Sequence, residues 1–299
     1  MYNTRDQLLI KRIQELSVFM EPQPTRIAEK LPKLQNIRAL LFDVYGTLFI
    51  SKTGDISIAR EMSNSRALAE ALQYADFTEN LEKASERGTQ LLLEAIQQTH
   101  AQRRLEGKTS PEVDIREEWH TVLVTLQVED LLEGEITDET ISRVSVEYEC
   151  RVNPVWPMPD LRETLQTLRD MPILLGIVSN AQFYTLLLFP AFLGHSHSDL
   201  GFDADLCAWS FQYQEAKPAT TLFLGVVEQL RQYGIAPEEA LYVGNDLLND
   251  IWPAAQLGLK TALFAGDQRS LRLRENDLRC SDLKPDVILT QLSQLPQVL

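Results

Sequence analysis

Apolar and polar positions along this chain alternate in two distinct textures. Residues 5–35 carry Leu9, Ile13, Leu16 and then Phe19 or Met20 at helical spacing, which predicts a helical lead-in broken by Pro22 and Pro24. The run "IRALLFD" that follows is short, continuous and apolar, the pattern of a central strand covered on both faces. "YGTLF" turns away from it. From about Thr53 to Cys150 strand patterns disappear and amphipathic helices follow one another. Ile58, Met62, Leu68 and Leu72 mark the first, and Leu81, Ala84, Leu91, Ala95 and Ile96 the second. The third, "DIREEWHTVLVTL", has Asp114 and Glu117 spaced as a capping box and Ile115, Trp119, Val122 and Leu126 on one face. "TDETISRVSVEYEC" is the fourth. So much helix is too large for a loop and reads as a lid inserted into another domain.

A proline-rich stretch, "NPVWPMPD", returns the chain, and strands and helices then alternate. The order is helix 160–170, strand "ILLGIVS", helix 182–193, strand "ADLCAWSF" and helix 218–233. Strand "ALYVG", helix 249–257, strand "KTALF", strand "DVILT" and a terminal helix complete it. Gly234 and Gly258 stand where helix C-terminal glycines belong. This pattern predicts an α/β fold: a doubly wound parallel sheet with helices on both faces and an inserted all-helical cap. The expected organisation is an N-terminal helical extension over 1–35, a core of 36–52 and 154–299, and a cap over 53–153. Ligands of such sheets bind beyond the carboxyl ends of the strands.

Composition narrows the partners. Across 299 residues, 28 basic and 43 acidic side chains leave a formal charge of −15, a field that repels phosphate backbones and argues against nucleic acid. A small anionic substrate then requires a local positive site or a metal ion. Cys150, Cys207 and Cys280 are few and far apart, which argues against a disulfide framework and for a reducing compartment. "MYNTRDQLLIKRIQEL" lacks a signal-peptide core, and no apolar run approaches the ~20 residues that span a bilayer. The expectation is a cytoplasmic protein with no membrane partner.

Chemistry-bearing residues gather at strand ends. Asp43 follows "RALLF", Ser179 and Asn180 end "LLGIV", and Asn245 and Asp246 follow "LYVG". Lys217 comes after "AWSFQYQEA" and opens a helix with Pro218. Singly, each has a structural reading as a turn or a cap. The ordered set resembles the haloacid dehalogenase (HAD) superfamily. Its four motifs are "FDVYGTL", "IVSNA", "KPATTLF" and "VGNDLLNDIWPAAQLG", in the family's order. The resemblance runs from about residue 36 to the end, with the helical insertion matching the family's C1-type cap on a Rossmann-like core.

That resemblance implies a nucleophilic Asp43 that forms a covalent aspartyl intermediate. Lys217 neutralises charge on Asp43 and the substrate, while Ser179 and Asn180 hold transferring oxygens, and Thr47 belongs to the same catalytic set. In the phosphatase branch Mg²⁺ binds Asp43, the backbone carbonyl of Tyr45 and Asp246, with Asp250 supporting that set. Tyr45 stands where most of these phosphatases carry a second aspartate, which protonates the leaving group. A phenol with ordinary pKa about 10 cannot simply replace it. "FDVYGTLF" looks instead like the first motif of 2-haloacid dehalogenases, whose halide leaves without a proton. "GNDLLND" nevertheless keeps the acids expected for Mg²⁺, and acids clustered beside Asp43 would repel an anionic substrate unless a cation sat between them. On that argument the sequence favours an Mg²⁺-dependent phosphatase acting on a small phosphoryl compound. A metal-free dehalogenase-like hydrolase acting at carbon is the alternative enzyme, and a binding or regulatory protein with a weakened site is the third reading. His195 and His197 in "HSHSD" read as a solvated loop. Arg269, and with it Arg272, is placed to fork an anionic substrate at the site mouth, against the rival reading of ion pairing with the acidic surface.

Overall fold

The computed structural model describes residues 3–52 and 64–299. Its chain begins with α1 (Thr4–Leu16), β1 (Ala39–Phe42) and β2 (Phe49–Ser51). The cap helices are α2 (Ser65–Tyr74), α3 (Leu81–Leu105), α4 (Ile115–Val128) and α5 (Asp138–Val152). After β3 (Val155–Pro157) come α6 (Leu161–Arg169), β4 (Leu174–Ser179), α7 (Thr185–Leu193) and β5 (Phe202–Trp209). A short α8 (Ser210–Tyr213) and α9 (Thr221–Gln232) lead to β6 (Ala240–Gly244). Then α10 (Trp252–Gln256), β7 (Lys260–Phe264), β8 (Val287–Leu289) and α11 (Leu295–Val298) close the chain. Ile58 and Met62, expected on the first cap helix, lie outside the described residues.

Six parallel strands form one sheet in the order β5-β4-β1-β6-β7-β8. Its centre is dry on both sides, as the apolar run of β1 requires. Leu40 and Phe42 join the larger core cluster, while Ala39 and Leu41 face the opposite one with Leu222, Phe223 and Val226 of α9. The same alternation holds in β6, where Leu241 and Val243 face one way and Ala240 and Tyr242 the other. Hence the fold is α/β, with helices covering both faces. Because β5 lies on one side of β1 and the next strand, β6, on the other, the connection crosses the middle of the sheet. Ligand crevices form at such a crossing.

The cap leaves the core along β2 and returns along β3, which pair antiparallel with Ser51 opposite Val155. The Ser51 hydroxyl donates to Asn153 Oδ1 at 2.8 Å inside this stalk. Two local expectations shift. At the start of α4, Asp114 Oδ1 accepts from the Arg116 amide, and the reciprocal capping box forms instead at Thr137 and Thr140 of α5. The helix expected over 249–257 begins as a wide turn, Leu247–Ile251, before α10.

The lead-in is helical only to Leu16. Pro22 and Pro24 lack the amide hydrogens a helix needs, so the chain continues extended. Lys30 exchanges backbone hydrogen bonds with Ile288, which covers the β8 edge of the sheet. Helix α1 itself joins cap to core. Arg12 donates from Nε and Nη2 to the two oxygens of Glu147 on α5, at 2.6 and 2.9 Å, and stacks over Tyr74 at 4.4 Å. Gln14 donates to the Ala191 carbonyl of α7 at 2.7 Å. Among the described residues, no helix is long and apolar enough to cross a membrane.

Glu147 is fully buried, and its remaining cation is Arg151. Replacing Arg12 by Met keeps the packing stem but strips two charge-assisted bonds from a buried carboxylate. The expected loss is about 2 kcal/mol of unfolding free energy, read by urea denaturation. A loss below about 0.5 kcal/mol, the range of ordinary surface changes, would show that α1 does not hold the cap.

Candidate active site

Parallel strands end together, so their C-terminal residues share one edge. Asp43 follows β1, Ser179 ends β4, and Asn245 and Asp246 follow β6. Lys217 comes from the segment after α8 and reaches into the same point. Its ammonium donates to Asp43 Oδ1 at 2.7 Å and to Asp250 Oδ1 at 2.6 Å. The Val178 carbonyl lies 3.2 Å from the same nitrogen and the Tyr242 hydroxyl 3.1 Å. Both carboxylates therefore touch a single cation. Gly244 makes the approach of Asp250 possible: a Cβ there would stand 2.4 Å from the Asp250 carboxyl carbon.

Burial shapes the charges. Desolvation alone would push Lys217 down, but Asp250 and Asp43 beside it hold its pKa above the ordinary lysine value. Among the described residues, Asp250 pairs with that one cation, Lys217. Burial, with Lys217 opposing it and Asp43 and Asp246 reinforcing it, raises its carboxyl to about 7. Asp250 thus holds a proton more tightly than a free carboxyl does, one lysine away from Asp43. Tyr242, which sequence reasoning missed, also sits in the cluster: its hydroxyl lies 3.1 Å from Asp250 Oδ1 and 2.8 Å from the Val178 carbonyl. Its place as the third residue of an apolar strand gives no signal that a polar tip would matter.

Asn180 holds the lysine from behind. Its side chain accepts from the Lys217 amide at 2.7 Å and donates to the Lys217 carbonyl at 3.3 Å. Ser179 is fully buried, its hydroxyl 3.4 Å from the Asn180 carbonyl. Thr47 is equally buried and donates to Asn245 Oδ1, tying the turn after β1 to the end of β6. The cap touches this region directly. Ala216 donates to the Ser110 carbonyl at 2.7 Å, and Glu112 to the Gln214 carbonyl at 3.2 Å, so cap residues 110–112 run beside the segment that carries Lys217. The buried Glu112 carboxylate accepts from Ser210 at 3.0 Å, and Ser210 in turn accepts from the Ala181 amide next to Asn180.

The Tyr45 side chain points into the core. Its phenol hydrogen-bonds Thr185 of α7 at 2.9 Å and packs within the larger core cluster. Burial first, then the charge of Glu149, raises its pKa well above that of a free phenol. It remains a neutral hydroxyl at any physiological pH.

The expected Mg²⁺ set is not assembled. Asp246 Oδ1 accepts the amides of Leu248 at 2.8 Å and Asn249 at 3.2 Å, capping the turn that follows. Arg274 then grips the same carboxylate, with Nε 3.0 and 3.1 Å from its two oxygens and Nη2 2.5 Å from Oδ2. Asp250 meanwhile spends one oxygen on Lys217 and the other on the Asp246 amide at 2.9 Å. A carboxylate has about four lone-pair directions, and those of Asp246 are taken. Among the described residues, no group of three or more acids, histidines or cysteines is arranged to hold a metal ion. The residues as placed do not fit Mg²⁺.

Arg269 does not reach the cluster either. It pairs with the buried Asp267 at 3.1 Å and with the Glu21 carbonyl, binding the lead-in to the core. Arg272 donates to the carbonyls of Arg269 and Leu271. The arginine that does arrive is Arg274, two residues further along the stretch that sequence analysis singled out. His197 packs edge-on against Trp209 at 5.7 Å, and burial lowers its pKa.

A family model for haloacid dehalogenase-like hydrolases matches residues 37–258. The chain belongs to this family. Among solved structures, this HAD hydrolase is similar to a 2-haloacid dehalogenase from Pseudomonas syringae pv. tomato, at 24% identity and a TM-score of 0.53, over 88% of this chain and 97% of that one. A HAD phosphatase from Thermococcus onnurineus matches at 22% identity and a TM-score of 0.48, over the same shares of each chain. At these identities the likeness is one of fold. No curated protein matches the sequence.

The raised Asp250 carboxyl gives this HAD hydrolase a pH-dependent stability term. Its folded pKa, about 7, exceeds the free value of 3.8, so its contribution is full below about pH 4 and is lost as pH rises through 7. Asp250→Asn removes that loss. The variant is expected to gain on wild type by up to about 1.4 kcal/mol per pH unit between pH 5 and 7 in parallel urea titrations. Curves that stay parallel across that window would show that Asp250 is already ionised at pH 5.

Proposed function

We propose that this HAD hydrolase displaces a leaving group from carbon through Asp43 without a divalent metal, the reaction type of a hydrolytic dehalogenase. The observation that carries this reading is Tyr45. Where a phosphatase needs an acid to protonate its leaving oxygen, the chain places a phenol of raised pKa bonded to Thr185. A halide leaves as a stable anion and needs no such donor. The argument for Mg²⁺ also weakens. It rested on acids lacking a cation, and Lys217 and Arg274 already supply two.

In this mechanism an Asp43 carboxylate oxygen attacks the carbon that bears the halogen. The carbon–halogen bond breaks, its electron pair leaves as halide, and an ester joins Asp43 to the substrate. Water then adds to the Asp43 carbonyl carbon, and Asp250, with its pKa near 7, takes the water's proton. Acyl–oxygen cleavage frees the hydroxylated product and restores the carboxylate. The sum is one water consumed for one alcohol, one proton and one halide. Lys217 steers Asp43 and holds the cluster's charge down as anions arrive and leave. A small halogenated carboxylic acid fits the reading as substrate, and a cytoplasmic setting fits the three free thiols.

The presence of both Asp246 and Asp250 after β6 favours a second reading, an Mg²⁺-dependent phosphatase of small phosphoryl compounds. A panel of 2-haloacids and phosphate esters, run with Mg²⁺ or with EDTA, separates the two. The expected result is halide release that EDTA leaves unchanged, with no phosphate formed. Asp43→Asn is expected to fall below about one-thousandth of wild-type rate, as loss of a nucleophile does. A single turnover in H₂¹⁸O is expected to label Asp43 rather than the product. Mg²⁺-dependent phosphate release without halide would overturn the proposal, and ligand binding without turnover of either class would favour the binding-protein reading.

A further inference from the structure

We infer that Arg274 is a resident cation which takes the place of a divalent metal at this site and keeps metal out. The inference deepens the metal-independent reading above and rests on it. Three features of the chain combine to put the guanidinium there. Residues 270–274 are tied alongside the end of β6: Arg272 donates to the Asn245 carbonyl at 3.0 Å, and Leu247 donates to the Arg272 carbonyl at 2.9 Å. Arg274 itself adopts a left-handed backbone with φ of 49°, which a side chain with a Cβ rarely takes without an offsetting contact. The offsetting contact is the fork onto Asp246, from Nε and Nη2 to both oxygens.

The chemistry of the two kinds of cation differs in ways that matter here. Mg²⁺ requires oxygen ligands at about 2.0–2.1 Å in octahedral geometry. Asp246 has none to offer, since the amides of Leu248 and Asn249 and the guanidinium occupy its oxygens. A guanidinium is always protonated, so its charge does not vary with pH or with the supply of metal. The acids of the fourth motif are thus kept without the metal that would otherwise explain them. Asp246 becomes a cap and an anchor, and Asp250 accepts from Lys217, Tyr242 and the Asp246 amide.

Removing Arg274 exposes one carboxylate, Asp246, beside a second, Asp250, whose oxygen accepts the Asp246 amide. Arg274→Ala is therefore expected to create a divalent-cation site. The probe is Mn²⁺ alone, titrated into the purified full chain and followed by calorimetry and electron paramagnetic resonance, with no turnover involved. Wild type is expected to show no Asp246-dependent site. Arg274→Ala is expected to bind one Mn²⁺ at least tenfold more tightly than wild type, and adding Asp246→Asn is expected to abolish that binding. Arg274→Gln serves if the alanine variant does not fold, with folding checked by circular dichroism. One Mn²⁺ on wild type that is lost in Asp246→Asn would overturn the inference. So would folded Arg274 variants that bind no more Mn²⁺ than wild type. Should neither variant fold, wild type and Asp246→Asn decide: a Mn²⁺ bound to wild type and lost in Asp246→Asn overturns it, and the absence of such a site supports it. Failure here leaves the halide assay untouched, because metal binding and product identity are read separately.

Discussion

One buried ammonium shared by two carboxylates governs this molecule. Lys217 lies under the ends of β1 and β6, and taking such a charge out of water is costly unless its partners are close and correctly aimed. Much of the local architecture meets that demand. Asn180 fixes the lysine backbone, Tyr242 and the Val178 carbonyl satisfy its ammonium, and Gly244 lets Asp250 approach without a clash. With one cation for two anions, the cluster stays a charge short. Burial first, and then the neighbouring charges of Asp43 and Asp246, raise the Asp250 carboxyl, while its two carboxylate partners keep the Lys217 pKa above the ordinary lysine value.

A second cation answers the remaining acid. Arg274 neutralises Asp246 from a segment otherwise occupied with joining the lead-in to the core, where Arg269 pairs with Asp267 and the Glu21 carbonyl. Cap and core are joined as well. Cap residues 110–112 lie along the segment that carries Lys217, and α1 braces α5 against α7. A displacement of the cap would therefore be felt at the segment that carries Lys217.

Much of this was legible from sequence because it depends on local pattern. Uninterrupted apolar runs made β1 and β6 central strands, helical periodicity marked the cap, and the polar residues after each strand marked the carboxyl edge of the sheet. Asp43 and the acids after β6 share one edge because parallel strands bring their ends to one side, and Lys217 reaches that edge from the segment before α9. Patterns of a few residues also misled where context competed. The lead-in helix ended at Leu16, where Ser17 turns extended, ahead of the prolines at 22 and 24 expected to break it, and Asp114 capped through Arg116 rather than through Glu117.

What sequence determined, then, was the order of elements, the family and the edge of the sheet where chemistry gathers. Only the tertiary structure decided the direction in which side chains point and the charge each one meets. Tyr45 stands where most of these phosphatases carry an acid, and the structure adds that its hydroxyl meets Thr185 within the core. Arg269 and Arg272 were the arginines singled out, yet Arg274 reaches Asp246, because a left-handed residue and two backbone bonds aim the segment there. Spacing along a chain fixes which residues share an edge, but pairing between residues some thirty or two hundred positions apart depends on loop paths and burial that no local pattern records.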